Sequence, residues 1–286
     1  MSDAPVPPLG DPGAQFIEQG RQSAAREDWK AAVTAWIAGS NAGSLKSANL
    51  VRTGIAPLKA QADDGDVDAQ ALLAGALLDF ADDSALPMVL AYATTAARAG
   101  HPAAQRTLGF LHRTGRGVEA DAYQAEVHFT AAAKAGDPYA AFNLAGMHIT
   151  GDARVRDHDE CLRLLRQAVD GGVTNAAAVL GDRLASVDED AEALSWYLYA
   201  AERGHTGSMF AAGCWYRDGL GTAPDPVQAA RWFLTMLDHG NGDGVHEVIQ
   251  LVKRGMTEEQ IRTAGELADR SSEAETFITM ARKNGW

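Results

Sequence analysis

Eight histidines, two cysteines, two glycine clusters and one acidic run are the places where this 286-residue chain could do chemistry. His246-Glu247 opens like the helical zinc motif in which two histidines four apart hold the metal and the glutamate acts as base. The second ligand position is Gln250, so the motif fails. Gly115-Arg116-Gly117 and Gly240-Asn241-Gly242-Asp243-Gly244 suggest phosphate loops in composition only. A phosphate loop follows a strand and ends in Lys-Ser/Thr; these clusters follow helical runs and lack that pair, so they read as turns. Asp157-His158-Asp159-Glu160 stands at a helix start, where acids favour the helix dipole. Cys161 and Cys214 lie far apart, which suits neither a disulfide framework nor a zinc cluster, and both are expected to stay reduced. No Ser-His-Asp or Cys-His arrangement can be argued from spacing. The expectation is a protein that is not an enzyme, with no catalytic residue, no cofactor and no metal.

The elements that would have to position any site must be built from an acidic chain. It carries 25 Lys and Arg against 38 Asp and Glu, a net charge of −13, with 46% hydrophobic and 22% charged residues. Such a balance argues against nucleic acid, because phosphate binding draws on clustered Lys and Arg. It also disfavours an anionic membrane surface, and a neutral or basic partner is easier to accommodate. The start, MSDAPVPPLGDPG, has an early acid, several prolines and no apolar core, so it does not read as a secretory signal. Residues 1–13 are expected to be a disordered tail. No run of about 18 apolar residues occurs, so no membrane-spanning helix is expected. A cytoplasmic protein is the resulting expectation.

The organising signal is an internal repeat, which takes priority over local reading. The glycines Gly65, Gly100, Gly136, Gly172, Gly204 and Gly240 end helical runs at spacings of 35, 36, 36, 32 and 36 residues. Four after the first five stand Ala69, Ala104, Ala140, Ala176 and Ser208; nine after stand Ala74, Gly109, Ala145, Gly181 and Gly213. Seven before the last five stand Ala93, Phe129, Leu165, Tyr197 and Phe233, of which Ala93 is the one small member. Small columns let helix backbones approach, and large residues three or four apart from small ones share a helix face. Each unit is therefore predicted to hold two helices. A second turn separates them at Gly115, Gly151 and Gly219; the unit from Gly172 reads Ser186-Val187-Asp188-Glu189-Asp190 instead, so its shortness is placed in the loop. His112 and His148 share the column twelve after the glycine, where other units carry Leu77, Leu184 and Tyr216, and so read as packed histidines with a satisfied ring.

Leu108, Gly109, His112, Gly115, Gly117, Val118, Ala125, Phe129, Ala132 and Gly136 together resemble the Sel-one-like repeat, a branch of the tetratricopeptide superfamily. Gly213, Tyr216, Gly219, Gly221, Ala229, Trp232 and Phe233 repeat the pattern. The resemblance covers residues 65–240. It implies an all-α, right-handed α-solenoid of stacked antiparallel helix pairs. Residues 14–64 are similar to a tetratricopeptide pair followed by a shortened unit. Residues 241–286 read as capping helices, one of them starting at Thr257 with Glu259 and Gln260.

In tetratricopeptide-like stacks the first helix of each pair lines the concave side. The resemblance therefore puts Arg106, Phe110, Arg113, Tyr139, Phe142, Asp182, Phe210 and Arg217 on that side. Arginines and aromatics are what binding hot spots are enriched in. Two readings of these residues stay open: a strip that takes an extended peptide, its arginines meeting acidic side chains, or packing between repeats with solvated arginines. The functional expectation is an adaptor or scaffold binding a protein or peptide in a groove. The alternatives are an accessory subunit or hydrolase acting on a cell-wall-type peptide, and a structural spacer.

Overall fold

The computed structural model describes residues 11–286. All regular structure there is helical, with no strand among the described residues. The chain divides between Asp157 and His158 into two compact units.

The first unit contains α1 (Ala14–Ala25), α2 (Trp29–Asn41), α3 (Leu45–Asp63), α4 (Val67–Phe80), α5 (Leu86–Arg98), α6 (Pro102–Thr114), α7 (Ala122–Lys134) and α8 (Pro138–Thr150). Each helix packs on the next. In addition α2 touches α4, α4 touches α6, and α6 touches α8, whereas α3, α5 and α7 make no comparable contact with one another. The even helices thus form the tighter, inner row of this unit. Residues 1–10 of the expected tail lie outside the described residues, and Gly13 is buried against Ser44 and Gly39. Residues 44–64 hold one 19-residue helix, α3, capped by Ser44. α2 packs on both α1 and α3, and α1 also touches α3.

The second unit contains α9 (His158–Asp170), α10 (Thr174–Ala185), α11 (Asp190–Ala201), α12 (Thr206–Asp218), α13 (Pro226–Thr235), α14 (Asp243–Lys253), α15 (Glu258–Leu267) and α16 (Ser271–Asn284). The helices α10 and α11 have 12 residues each against 13 in α6 and α7, and residues 186–189 join them where 115–121 join α6 and α7, so the short repeat loses most of its length in the loop and one residue from each helix. α15 packs on α13 and α16 on α15, with Phe277 and Ile278 buried. Thr257 starts α15 through a reciprocal capping box with Gln260. Cys161 and Cys214 are not joined in a disulfide.

The repeat's sequence columns have direct physical counterparts. At Gly136 the backbone takes φ +91°, a left-handed conformation open to glycine at little cost. There Gly136 N–H donates to the Ala133 carbonyl and Asp137 N–H to the Ala132 carbonyl, closing α7. Asp137 then caps α8, its Oδ1 accepting from Ala140 N–H at 2.8 Å. Three residues thus stop one helix and start the next. The small and large columns meet within each pair. A Cβ added at Gly109 would lie 2.6 Å from the Phe129 ring, at Gly181 2.8 Å from Tyr197, and at Gly213 2.5 Å from Phe233. Phe129 and Phe233 are fully buried.

Candidate functional site

In the first unit the inner row encloses a hollow of about 410 Å³, within the size range of ligand sites. It is hollow because its floor is made of small residues. Ala71, Gly75 and Ala76 of α4 line it, and a Cβ built at Gly75 meets no atom within 4 Å. Its apolar walls come from Ile37 of α2, Leu72 and Leu78 of α4, and Phe110 of α6. The polar groups are Asn41, Asp79, Arg106 and Asn143, with Tyr139 at the α8 edge.

Arg106 is already engaged. Its Nε donates to Asp137 Oδ2 at 3.0 Å, and its guanidinium lies 5.4 Å from the Tyr139 ring centroid. Asp137 is buried, so this pair joins α6 to the start of α8. Arg113 faces Asp152 at 3.6 Å. Asp79, by contrast, has no hydrogen bond or ion pair among the described residues. It is exposed where it lines the hollow. Desolvation raises its pKa against the opposing pull of Arg106 and Arg116. Arg116 itself is bound to Asp83 at 2.7 Å.

The structure brings Arg106, Phe110 and Tyr139 together in this hollow. Arg113 and Phe142, both half-buried, lie on the same two helices outside its lining. In the second unit Asp182 accepts a 2.8 Å hydrogen bond from Tyr197 Oη, and the Tyr197 ring meets Trp215 edge-on at 5.2 Å. Burial, then Asp182, raises the Tyr197 phenol well above its usual range. Arg217 Nη1 binds Glu247 at 2.5 Å and Nη2 binds Asp218 at 2.7 Å. Phe210 is 37% exposed at a shallower hollow with Met236 and His246, its ring 5.6 Å from Phe233. Arg106, Arg113 and Arg217 are therefore each faced by a carboxylate. Asp79, Asn41 and Asn143 escaped the sequence reading. Asp79 follows Leu78, which stands thirteen after Gly65, so extending the groove columns one unit toward the N-terminus brings the search beside it.

The histidine column is packed as expected but not uniformly satisfied. His148 Nδ1 accepts from Asp157 N–H at 3.3 Å. His112 stacks on His128 at 5.5 Å, and its buried Nδ1 has no partner among the described residues. His128 Nδ1 meets Gln105 Oε1 at 2.7 Å. Burial, then His112, lowers the His128 pKa from 6.5. A depressed folded value means the unfolded chain binds the proton more readily. Stability from this group is full above pH 6.5 and falls as pH drops through the lower folded value. The loss of melting temperature between about pH 7.5 and about pH 5.5 should therefore be smaller in His128→Gln than in the parent chain. An unchanged loss would mean the imidazole pair does not sense pH.

No helix among the described residues is long and apolar enough to cross a membrane, and no group of three or more His, Cys, Asp or Glu there could hold a metal ion. A family model described as Sel1 repeat matches residues 102–137, 138–173, 181–205 and 207–241. Residues 65–101 lie outside these matches, although α4 and α5 have the same paired arrangement. No curated protein matches the chain. Crystal structures that share its fold include two that cover most of this chain. One is a protective antigen of uropathogenic Escherichia coli strains displaying an SLR fold, at 22% identity and TM-score 0.67, covering 95% of this chain and 63% of that one. This chain thus spans less than two thirds of that protein's length. The other is a Sel1 repeat protein from Oxalobacter formigenes, at 20% identity and TM-score 0.60, covering 85% of this chain and 88% of that one.

Proposed function

Residues 102–137, 138–173, 181–205 and 207–241 are Sel1 repeats, and from that premise we propose that the chain is a scaffold or adaptor whose first unit holds an extended segment of another protein in the hollow of α2, α4, α6 and α8. The observation that carries this reading is the open floor at Gly75, roofed by no side chain and walled by Ile37, Leu72, Leu78 and Phe110. Four alternate helices contribute, so the cleft runs across repeats as an extended chain would. The hollow offers no histidine or cysteine to activate its two threonine hydroxyls, Thr34 and Thr107, and Thr107 donates to the Ala103 carbonyl. Binding without a covalent step therefore fits it better than hydrolysis of a peptide. Phe210, with Met236 and His246, would form a second, shallower contact. The proposed setting is the cytoplasm, which cell fractionation would test.

Gly75→Leu separates binding from folding. The new side chain enters empty space, and leucine favours a helix over glycine by up to ~1 kcal/mol. The melting temperature should hold or rise, while capture of peptides from a displayed random library falls to background. Unchanged capture would place the binding surface elsewhere.

A further inference from the structure

Resting on the reading of this hollow as a peptide groove, we propose that its occupant carries a basic side chain, lysine or arginine, between apolar neighbours, and that the cation seats against Asp79. The charge expected of the partner from the arginines in the sequence is thereby reversed. Those arginines are spent: Arg106 on Asp137 at 3.0 Å and Arg113 on Asp152 at 3.6 Å. An incoming carboxylate would meet a guanidinium whose charge is already balanced, and for Arg106 the balancing Asp137 also caps α8.

Asp79 presents the opposite case. It faces the hollow, and its two neighbouring guanidiniums are bonded to other carboxylates. Asp79 is exposed where it lines the hollow and is unpaired among the described residues, so a cation can reach it without first breaking another contact. A cation arriving with the ligand supplies the partner and adds charge-assisted hydrogen bonds. The raised pKa of this group points the same way, since the fold gains nothing from its charge. Asn41 and Asn143 also line the hollow with side-chain amides that have no hydrogen bond among the described residues, leaving donors and acceptors for an extended backbone. Leu72, Leu78 and Phe110 offer apolar surface for the methylene stem of lysine or arginine, which buries readily while its head stays polar. The chain's net charge of −13 favours encounter with a basic segment.

The test uses three labelled dodecapeptide pools with one central position fixed as Arg, Gln or Glu and mixed apolar and polar flanks. Each is titrated by anisotropy onto the full chain, Asp79→Asn and Gly75→Leu. The Arg pool should bind the parent chain on the order of tenfold more tightly than the Glu pool, the factor one charge-assisted hydrogen bond supplies. In Asp79→Asn that advantage should vanish without a lower melting temperature. Equal binding of the pools, preference for Glu, or an Arg advantage that survives Asp79→Asn would each overturn the assignment of Asp79. Gly75→Leu keeps the two readings apart. If it leaves every pool bound, or no pool binds the parent chain, the groove itself is refuted. If it abolishes binding while the charge preference is absent, only the basic occupant is refuted.

Discussion

Phe233→Ala is expected to destabilise the protein by about 3–5 kcal/mol, the cost typical of truncating a buried phenylalanine. The ring is 0% exposed and stands where several helices meet. It lies over Gly213 of α12 and 5.6 Å from the Phe210 ring, while its own carbonyl would be 2.2 Å from a Cβ at Gly244 of α14. The backbones of α13 and α14 are therefore in near-direct contact, and little can move to fill the void left by the ring. A cavity that cannot collapse gives the upper part of the range. Against a total stability of about 5–15 kcal/mol for an ordinary domain, this is a large share. Chemical denaturation should show it as a lowered midpoint. Hydrogen exchange should show lost protection concentrated in α12–α15, because contacts in a repeat stack are local. Phe210→Ala is the matched comparison. That ring is 37% exposed, so its loss should cost no more than about 1.5 kcal/mol, the scale of one aromatic pair. Equal costs for the two would mean that Phe210 is core and that its exposure is no argument for binding.

The contrast between these two phenylalanines shows what could be read from residue order. Phe233 falls in a column with Phe129 and Tyr197, each opposite a glycine, and spacing alone identifies such a column as core. The turns were legible for the same reason, since a left-handed residue such as Gly136 followed by a capping Asp137 is a local device. Which helices face inward was carried by the family resemblance, and in the first unit the contacts among α2, α4, α6 and α8 agree with it. The ion pairs were not legible. Asp137 partners Arg106 across 31 positions, and Glu247 partners Arg217 across 30, distances at which many acids compete in a chain with 38 of them. Asp79 was hidden more deeply, because what marks it is the lack of a partner, and that exists only once every neighbour has been placed.

Gly213→Ala should destabilise the chain although alanine is the better helix former, and should stabilise it once Phe233 is replaced by leucine. On propensity alone the change favours the helix by ~1 kcal/mol. The added Cβ, however, would lie 2.5, 2.7 and 2.8 Å from three atoms of the Phe233 ring, closer than packed carbons approach. The ring is fully enclosed, so relief requires α12 and α13 to part. Overpacking of that kind costs about 1–3 kcal/mol, which exceeds the propensity gain. Leucine at 233 lacks the Cε1 and Cζ atoms, two of the three in conflict, and its Cδ carbons can rotate away from Gly213. The propensity term then stands alone and the sign changes. The double-mutant cycle should give a coupling of about 1–3 kcal/mol between positions 213 and 233, near the upper end for residues in direct contact. Gly109 with Phe129, at 2.6 Å, offers the same cycle in the first unit. If Gly213→Ala proves neutral or stabilising beside Phe233, the small column does not set the helix spacing, and the glycine at that position needs another cause. If the sign reverses with leucine, the repeat's spacing is held by a glycine beneath an aromatic ring in each such pair.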